Sequence, residues 1–412
     1  MNNNLSRLKI FGWTLFDFGN TAFSVMIVTF CYPLFYKIIV TGNSENGDLY
    51  WGLVVSISML ITAIISPILG AASDYSQNRK KILFIFTFFS VLCTALLSLV
   101  GPGMIIIGAF LFIIANIGFE GGIVFYDSFL PDITSKKNYG RVSGYGFAMG
   151  YLGALAILLL NYNYLKNGIN IENLSNLHTS FITTAAFFFI FSLPVFFVVP
   201  EKQTFFSKNF YFYIKNGISR VKSTIKNLKS YRNVAKFLIS FFLYNDGILT
   251  IISFASIIAE KTFNFTVEEL VVFFISVQSS AILGSIIFGI ITDKIGAKKT
   301  LIITLILWLL VVFISFFSYS KLEFYAIGFS VGILLGASQS SSRSLMAILT
   351  PYSHKAEFFG FYDGFCGKAS AIIGPLLFGL TSSLFHNQRN AILSIGLFFL
   401  VGLLVLLKVK EE

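Results

Sequence analysis

Apolar residues come in long blocks separated by short polar ones. Blocks of spanning length run over about 11–36, 50–73, 82–100, 103–130, 140–164, 178–199, 234–259, 267–292, 299–319, 322–349, 356–384 and 389–408. A bilayer core needs about 20 apolar residues per helical crossing, so the pattern predicts an all-α membrane protein with twelve transmembrane helices, here spans 1 to 12. Spans 4, 5, 10 and 11 are diluted by Gly, Ser and charges, and must turn one side to protein or water. One long polar stretch, about 201–233, separates six spans from six. Within it Ile218, Val221, Ile225 and Leu228 form one apolar stripe at helical spacing, and Lys215, Arg220, Lys222, Lys226 and Lys229 occupy the other faces. Such a helix is expected to lie on an anionic cytoplasmic leaflet. The predicted organisation is a six-helix bundle over 1–200, a basic linker over 201–233 and a second bundle over 234–412.

Composition agrees with a lipid solvent. Of 412 residues, 56% are hydrophobic and 12% charged; a soluble fold carries about 25% charge. The net charge of +11 would point to nucleic acid in a soluble protein, but here the positions of the charges decide. With both termini placed in the cytoplasm, twenty-four Lys and Arg fall on the inside and five outside, with Lys368 within a span. Such a bias orients the chain N-in and C-in with an even number of crossings, and no nucleic-acid partner is expected. Cys31, Cys93 and Cys366 lie far apart in apolar runs, so neither a metal site nor a disulfide framework is expected. The three His sit at loop or span edges. The N-terminus leads into a long apolar helix without a small-residue cleavage site, so no removable signal peptide is expected. No cofactor is expected.

The halves repeat. Gly70, Asp74, Arg79 and Lys80 after span 2 recur as Gly289, Asp293, Lys298 and Lys299 after span 8, at a constant offset of 219 residues. Parallel six-helix halves are the plan of a large transporter class. The G-x-x-x-D loop with its basic tail resembles that of the major facilitator superfamily; the second copy, with Lys294 and Gly296, is the better match. Further motifs narrow the branch. Trp13-x-x-x-Asp17-Phe18-Gly19-Asn20-Thr21-Ala22-Phe23 resembles the opening of the vacuole-effluxer-like branch, the autophagy-related amino-acid effluxers and their bacterial relatives. Phe125 to Pro131 resembles its F-Y-N-x-x-L-P, with Asp127 in place of Asn, and Ser143 to Gly153 resembles its S-x-x-G-x-A-x-G-Y-x-G. Tyr244 to Gly247, Gln339 to Ser344, Glu357 to Tyr362 and Lys368 to Pro375 follow in order. The resemblance implies a secondary transporter that works by alternating access, with helices 1, 4, 7 and 10 lining a cavity and helices 2, 5, 8 and 11 pairing across the halves. The latter four carry small residues at close spacing: Ser58, Thr62, Ser66 and Gly70; Gly140, Gly144, Gly146 and Gly150; Ser276, Ser280 and Gly284; Gly367, Ala371 and Gly379.

Polar groups inside spans mark the candidate site. Asp246 lies about twelve residues into span 7, roughly 18 Å deep, where a carboxyl must face a water-filled cavity or a partner such as Lys368. Glu120, among Gly118, Gly121 and Gly122, carries the same expectation. Asp246 and Glu120 are therefore the candidate proton carriers, and Asn20, Tyr244, Gln339 and Arg343 the candidate substrate contacts. Arg343 suits either a substrate carboxylate or a gate pair with Asp17, Asp127 or Asp363. Asp17, Asp127, Asp74, Asp293, Asp363 and Lys368 are assigned to gating. The leading expectation is a proton-coupled or facilitative carrier of a small polar solute, amino acids first, acting as a monomer in a bacterial plasma membrane. An exporter of lipophilic solutes is the alternative within transport. A membrane-embedded enzyme lacks a nucleophile or metal constellation, and a sensor lacks an appended domain.

Overall fold

The computed structural model describes residues 3–200, 210–227, 229–370, 373–374, 377–378, 380–381 and 388–411. Among the described residues, ten helices are long and apolar enough to cross a membrane. They are Ser6–Val40, Gly47–Ser76, Arg79–Leu99, Ile105–Asp127, Lys136–Leu165, Ile171–Val198, Arg232–Ser256, Glu269–Ile295, Ala297–Phe316 and Lys321–Leu349, and they are spans 1 to 10. Span 11 is irregular from its start: an α turn at Lys355–Phe359, π-helical turns at Gly360–Cys366 and another α turn at Gly367–Ala369. Span 12 is Gln388–Leu407. Span 1 contains π turns at Ser24–Phe30 and Tyr36–Val40. Wide turns of this kind cluster where a helix carries function.

Local chemistry sets the ends. Span 2 stops at Gln77, whose φ of 53° is left-handed, a geometry that closes helices. Spans 8 and 9 meet at Gly296, with φ 97°, which only glycine adopts without strain. Spans 8 and 10 open on capping boxes, Thr266 with Glu269 and Ser320 with Glu323. Leu60, Ile106, Leu159 and Phe197 keep more than half their surface exposed, as lipid-facing side chains do.

Span 1 packs on spans 5 and 6, span 3 on spans 4 and 6, and span 2 on span 4. Likewise span 8 packs on span 10, span 7 on span 12, and span 9 on spans 10 and 12. Spans 1–6 meet spans 7–12 mainly where span 5 crosses spans 8 and 10 and where span 2 crosses span 11. In a bilayer such crossings rest on close backbone approach. A Cβ on Gly144 would lie 2.2 Å from the Ser285 carbonyl oxygen, and one on Gly140 2.4 Å from that of Gly289. Gly360 and Gly364 sit equally tightly on Ser66 and Pro67.

Several expected small-residue contacts fall elsewhere. Ser280 and Gly284 pack on Gly332 and Ile333 of span 10, so span 8 meets span 5 through Ser285, Gly289 and Thr292. Gly146 and Gly150 abut Asp17 and Thr21 of span 1. Span 11 uses Gly360 and Gly364, earlier than the Gly367 register expected, because its π turns rotate the small face; Ala371 and Gly379 lie outside the described residues. The linker helix, Phe210–Lys226, lies along span 2. Its protein side is Tyr213, Gly217 and Thr224, which are buried, while Ile218 and Ile225 stay exposed. Leu228 lies outside the described residues.

Candidate functional site

A cavity of about 700 Å³ lies between the two sets of six spans. Its wall takes residues from spans 1, 2, 4, 5, 7, 8, 9, 10, 11 and 12. It reaches Thr29, Ser315 and Phe324, which lie toward the ends of their spans remote from the basic loops. It therefore opens away from the basic face and is closed toward it.

The closure is built around Arg343, which is 1% exposed. Its Nη1 donates to Asp127 Oδ1 at 2.6 Å and to Asp17 Oδ2 at 3.3 Å, and its Nε and Nη2 donate to the Ser143 hydroxyl and carbonyl at 3.0 and 2.8 Å. Phe147 and Trp13 stack on the guanidinium at 3.9 and 4.8 Å. The four-residue spacing of Trp13 and Asp17 puts both on one face of span 1, where Trp13 Nε1 donates to the Tyr126 carbonyl at 3.0 Å and the Tyr126 hydroxyl donates to Asp17 at 2.7 Å. The guanidinium thus has partners within the protein in every direction, while Arg343 also lines the cavity. Of the two roles left open for it, the structure places it in the pair with Asp17 and Asp127. Trp13, Tyr126, Ser143 and Phe147 were not singled out beforehand, although each lies within a motif quoted above.

Nearer the basic face the repeated aspartates work in mirror fashion. Asp74 of span 2 accepts from the N–H groups of Ala356 and Glu357 at 3.1 and 3.0 Å. Asp293 of span 8 accepts from Gly140 N–H at 2.8 Å and from Arg141 Nε at 2.6 Å. Each thus caps the first turn of a helix in the opposite half, where the dipole favours a negative charge. Asp132 joins Arg79 at 2.7 Å to Lys355 at 2.5 Å. Glu357, fully buried, accepts from Arg220 at 2.8 Å and Thr224 at 2.5 Å of the linker helix.

Inside the cavity, Lys368 of span 11 pairs with Glu120 of span 4. Gln339 Oε1 accepts from Tyr151 at 2.5 Å, the Tyr244 hydroxyl bonds Ser342 at 2.6 Å, and Asn20 lines the wall beside Thr21. Asp363 lines it too, with a buried Oδ2 that lacks a hydrogen-bond partner.

Asp246 is a correction. Its carboxylate is buried off the cavity wall, and both oxygens accept from the Gly374 N–H at 2.9 Å. Two residues of helix turn a side chain by about 200°, so with Tyr244 on the cavity Asp246 faces span 11. A Cβ on Gly374 would lie 2.0 Å from Thr250 Oγ1, so the close approach depends on glycine. Lys368, the alternative partner foreseen for Asp246, is held by Glu120.

The profile of the family described as vacuole effluxer Atg22 like matches residues 50–140 and 132–412. The chain belongs to this family. An MFS-type transporter of Bacillus subtilis, YxiO, itself uncharacterized, is 31% identical across 97% of this chain and 94% of its own. Autophagy-related protein 22 of Kluyveromyces lactis is 25% identical across 84% of this chain and 77% of its own. Among solved structures, the human organic anion transporter MFSD10 aligns with TM-score 0.76 at 13% identity, covering 98% of both chains. FucP, an MFS transporter captured in an outward conformation, aligns with TM-score 0.75 at 13% identity over 99% of both. XylE, a proton:xylose symporter, aligns with TM-score 0.74 at 15% identity, covering 99% of this chain and 95% of its own. The fold is that of the major facilitator superfamily, and the protein is a multi-pass membrane transporter.

Proposed function

We propose that this protein is a secondary active transporter of a small zwitterionic solute, amino acids first, working by alternating access and coupled to protons. Residues 1–200 rock against 234–412, with the basic linker between them resting on the anionic cytoplasmic leaflet of a bacterial plasma membrane. The observation that carries the reading is the Glu120–Lys368 pair in a cavity of about 700 Å³. A solute with one ammonium and one carboxylate can divide that pair, its ammonium meeting Glu120 and its carboxylate meeting Lys368, and desolvated charges lose little when each keeps an opposite partner. Gln339, Asn20 and Tyr244 supply neutral polar contacts around it. The amino-acid class comes from the family resemblance, and the proton from the kinship in fold with proton symporters.

One observation favours a second reading. The cavity wall includes Phe119, Phe147, Phe241, Phe273, Phe274 and Phe324, which suits a lipophilic solute. Flux of a panel of labelled amino acids and of lipophilic cations into proteoliposomes, with and without a pH gradient, separates the two. Movement of a zwitterion, lost in Lys368→Met, supports the first; movement of the lipophilic probes alone supports the second.

A further inference from the structure

The linker helix, Phe210–Lys226, touches both halves of the molecule. Toward spans 1–6, its Gly217 lies on the last turns of span 2, where an added Cβ would sit 2.6 Å from the Ile68 carbonyl oxygen and 3.1 Å from Ala72 Cβ. Toward spans 7–12, it binds the start of span 11. Arg220 Nε donates to Glu357 Oε2 at 2.8 Å, Arg220 Nη2 donates to the Ser353 carbonyl, and the Thr224 hydroxyl donates to Glu357 Oε1 at 2.5 Å. Glu357 is fully buried. These bonds therefore need the start of span 11 drawn against span 2, as it is here, with Gly360 seated on Ser66 and Pro67. The rest of the helix surface is ordered too. Tyr213, Gly217, Arg220 and Thr224 share the docked face. At 3.6 residues per turn, Ile214, Ile218, Val221 and Ile225 centre about 100° round from it, and Lys215, Lys222 and Lys226 about 190°. Ile218 and Ile225 are 38% and 51% exposed, the three lysines are exposed, and the helix holds no acidic residue.

We propose that the linker helix is a strap across the basic face, fastened to Glu357, and that anionic phospholipid of the adjoining leaflet holds the strap in place. The proposal rests on the alternating-access reading and on the placement of the linker at the leaflet, and adds what that contact controls. Depth and charge identify the occupant of the free faces. Span 2 ends at Ser76, so Ala72 and Ile68, which the helix covers, lie about 6 and 12 Å inside its end. That is the level at which an amphipathic helix rests between headgroups and acyl chains. Ile218 and Ile225 then meet hydrocarbon, and the lysines reach phosphate headgroups on the side away from span 2. Because the three faces point in different directions, the helix meets protein and lipid at once. Its hold on span 2 is backbone packing, whereas its hold on span 11 is an ion pair and two hydrogen bonds; the second is the one that parts when the halves separate. Lipid charge favours the docked helix and the docked helix favours closure, so lipid charge favours the basic-face-closed state.

The test uses the full chain in nanodiscs of phosphatidylcholine, alone or mixed with phosphatidylglycerol. Cys31, Cys93 and Cys366 are replaced by Ser, and spin labels are placed at Lys137→Cys and Ile295→Cys. These two positions are exposed on the basic face, one in each half, and neither belongs to the linker helix. An anionic surface is worth about fivefold in binding for each nearby lysine. Omitting phosphatidylglycerol is expected to lower the ratio of short- to long-distance populations by at least about that factor in the labelled parent. Two variants are expected to respond to lipid charge by less than about twofold: Lys215→Gln with Lys222→Gln and Lys226→Gln, where the lipid loses its hold, and Arg220→Gln, where the strap keeps its lysines but loses its charged hold on Glu357. A label at Ile225→Cys alone is expected to be relaxed more by oxygen than by a water-soluble nickel chelate in the anionic discs. A parent indifferent to lipid charge, a response unaltered in either variant, or an Ile225→Cys label relaxed chiefly by the chelate overturns the proposal. Elution of each variant as the parent elutes shows that it is folded. A parent whose distances move with Gly144→Ala but not with lipid charge loses the strap alone. If no amino acid moves in the flux assay yet both variants abolish the lipid response, the substrate reading falls and the strap stands.

Discussion

Replacing Gly144 with Ala tests the seam between spans 5 and 8. The added methyl carbon would lie 2.2 Å from the Ser285 carbonyl oxygen and 3.2 Å from Gly289 Cα. Carbon and carbonyl oxygen rest at about 3.3 Å, so the two spans must part by about 1 Å. Neither partner can yield by a rotamer change, because both are backbone. Along the same seam Gly140 meets Gly289 and Thr292, and Arg141 meets Asp293 at 2.6 Å. A gap of that size forfeits a quarter to a half of the dispersion between facing atoms, and overpacking of this kind costs about 1–3 kcal/mol. On the alternating-access proposal the cost falls on the basic-face-closed state, whose closure buries this seam. The closed-to-open ratio should therefore fall by about 5- to 150-fold. The assay is the spin-label distance across Lys137→Cys and Ile295→Cys at fixed pH, alongside thermal unfolding. A Gly144→Ala protein with the parental distance distribution and the parental unfolding temperature would refute the reasoning.

Other perturbations read other joints. Lys368→Met leaves Glu120 facing the cavity unpaired, and zwitterion flux should drop by at least about tenfold while folding is kept. Arg343→Lys cannot reproduce the contacts to Asp127, Asp17 and Ser143 together; unfolding should come about 1 °C earlier per kcal/mol lost in a chain of this length, and, on the proposal that Arg343 holds the gate, transport of charged and uncharged solutes should fall alike. Glu357→Gln removes the charge that pairs with Arg220, so limited proteolysis should cut the linker several-fold faster. His354, in the loop before span 11, is held below the ordinary histidine range by burial, with the charge of Arg220 next. The folded state thus prefers the neutral ring. Its share of stability is complete above about pH 6.5 and is lost as pH falls through the lower folded value. His354→Gln should flatten the dependence of unfolding temperature on pH across that range.

Much of the fold was legible because lipid imposes a coarse rule: a helix must be long and apolar, and loops must carry the charge. Span 1 was read short because its outer end, through Tyr36 to Val40, holds Lys37 and continues in π turns. Span 11 was read as one helix because Gly, Ser and aromatics conceal its π turns. Depth singled out Asp246 and Glu120 as charges within the membrane, since such groups are too costly to be idle. Depth does not fix direction. Asp246 is as deep as expected, but its azimuth sends it to Gly374. Choice of partner was equally hidden. Lys368 pairs with Glu120, and nothing along the chain singled out that partner, 248 residues away. Trp13 and Phe147 flank a guanidinium whose identity only the folded chain reveals.

A cavity residue reachable from both membrane faces in turn is the consequence that everything else depends on. Gln339→Cys in a chain whose Cys31, Cys93 and Cys366 are replaced by Ser, reconstituted with known orientation, can be titrated with an impermeant thiol reagent added to one side at a time. The account predicts fast labelling from the side opposite the basic face and slower labelling from the basic face, with the latter accelerated by Gly144→Ala. Labelling from one side only, whatever the pH, the solute or the Gly144 substitution, would contradict it.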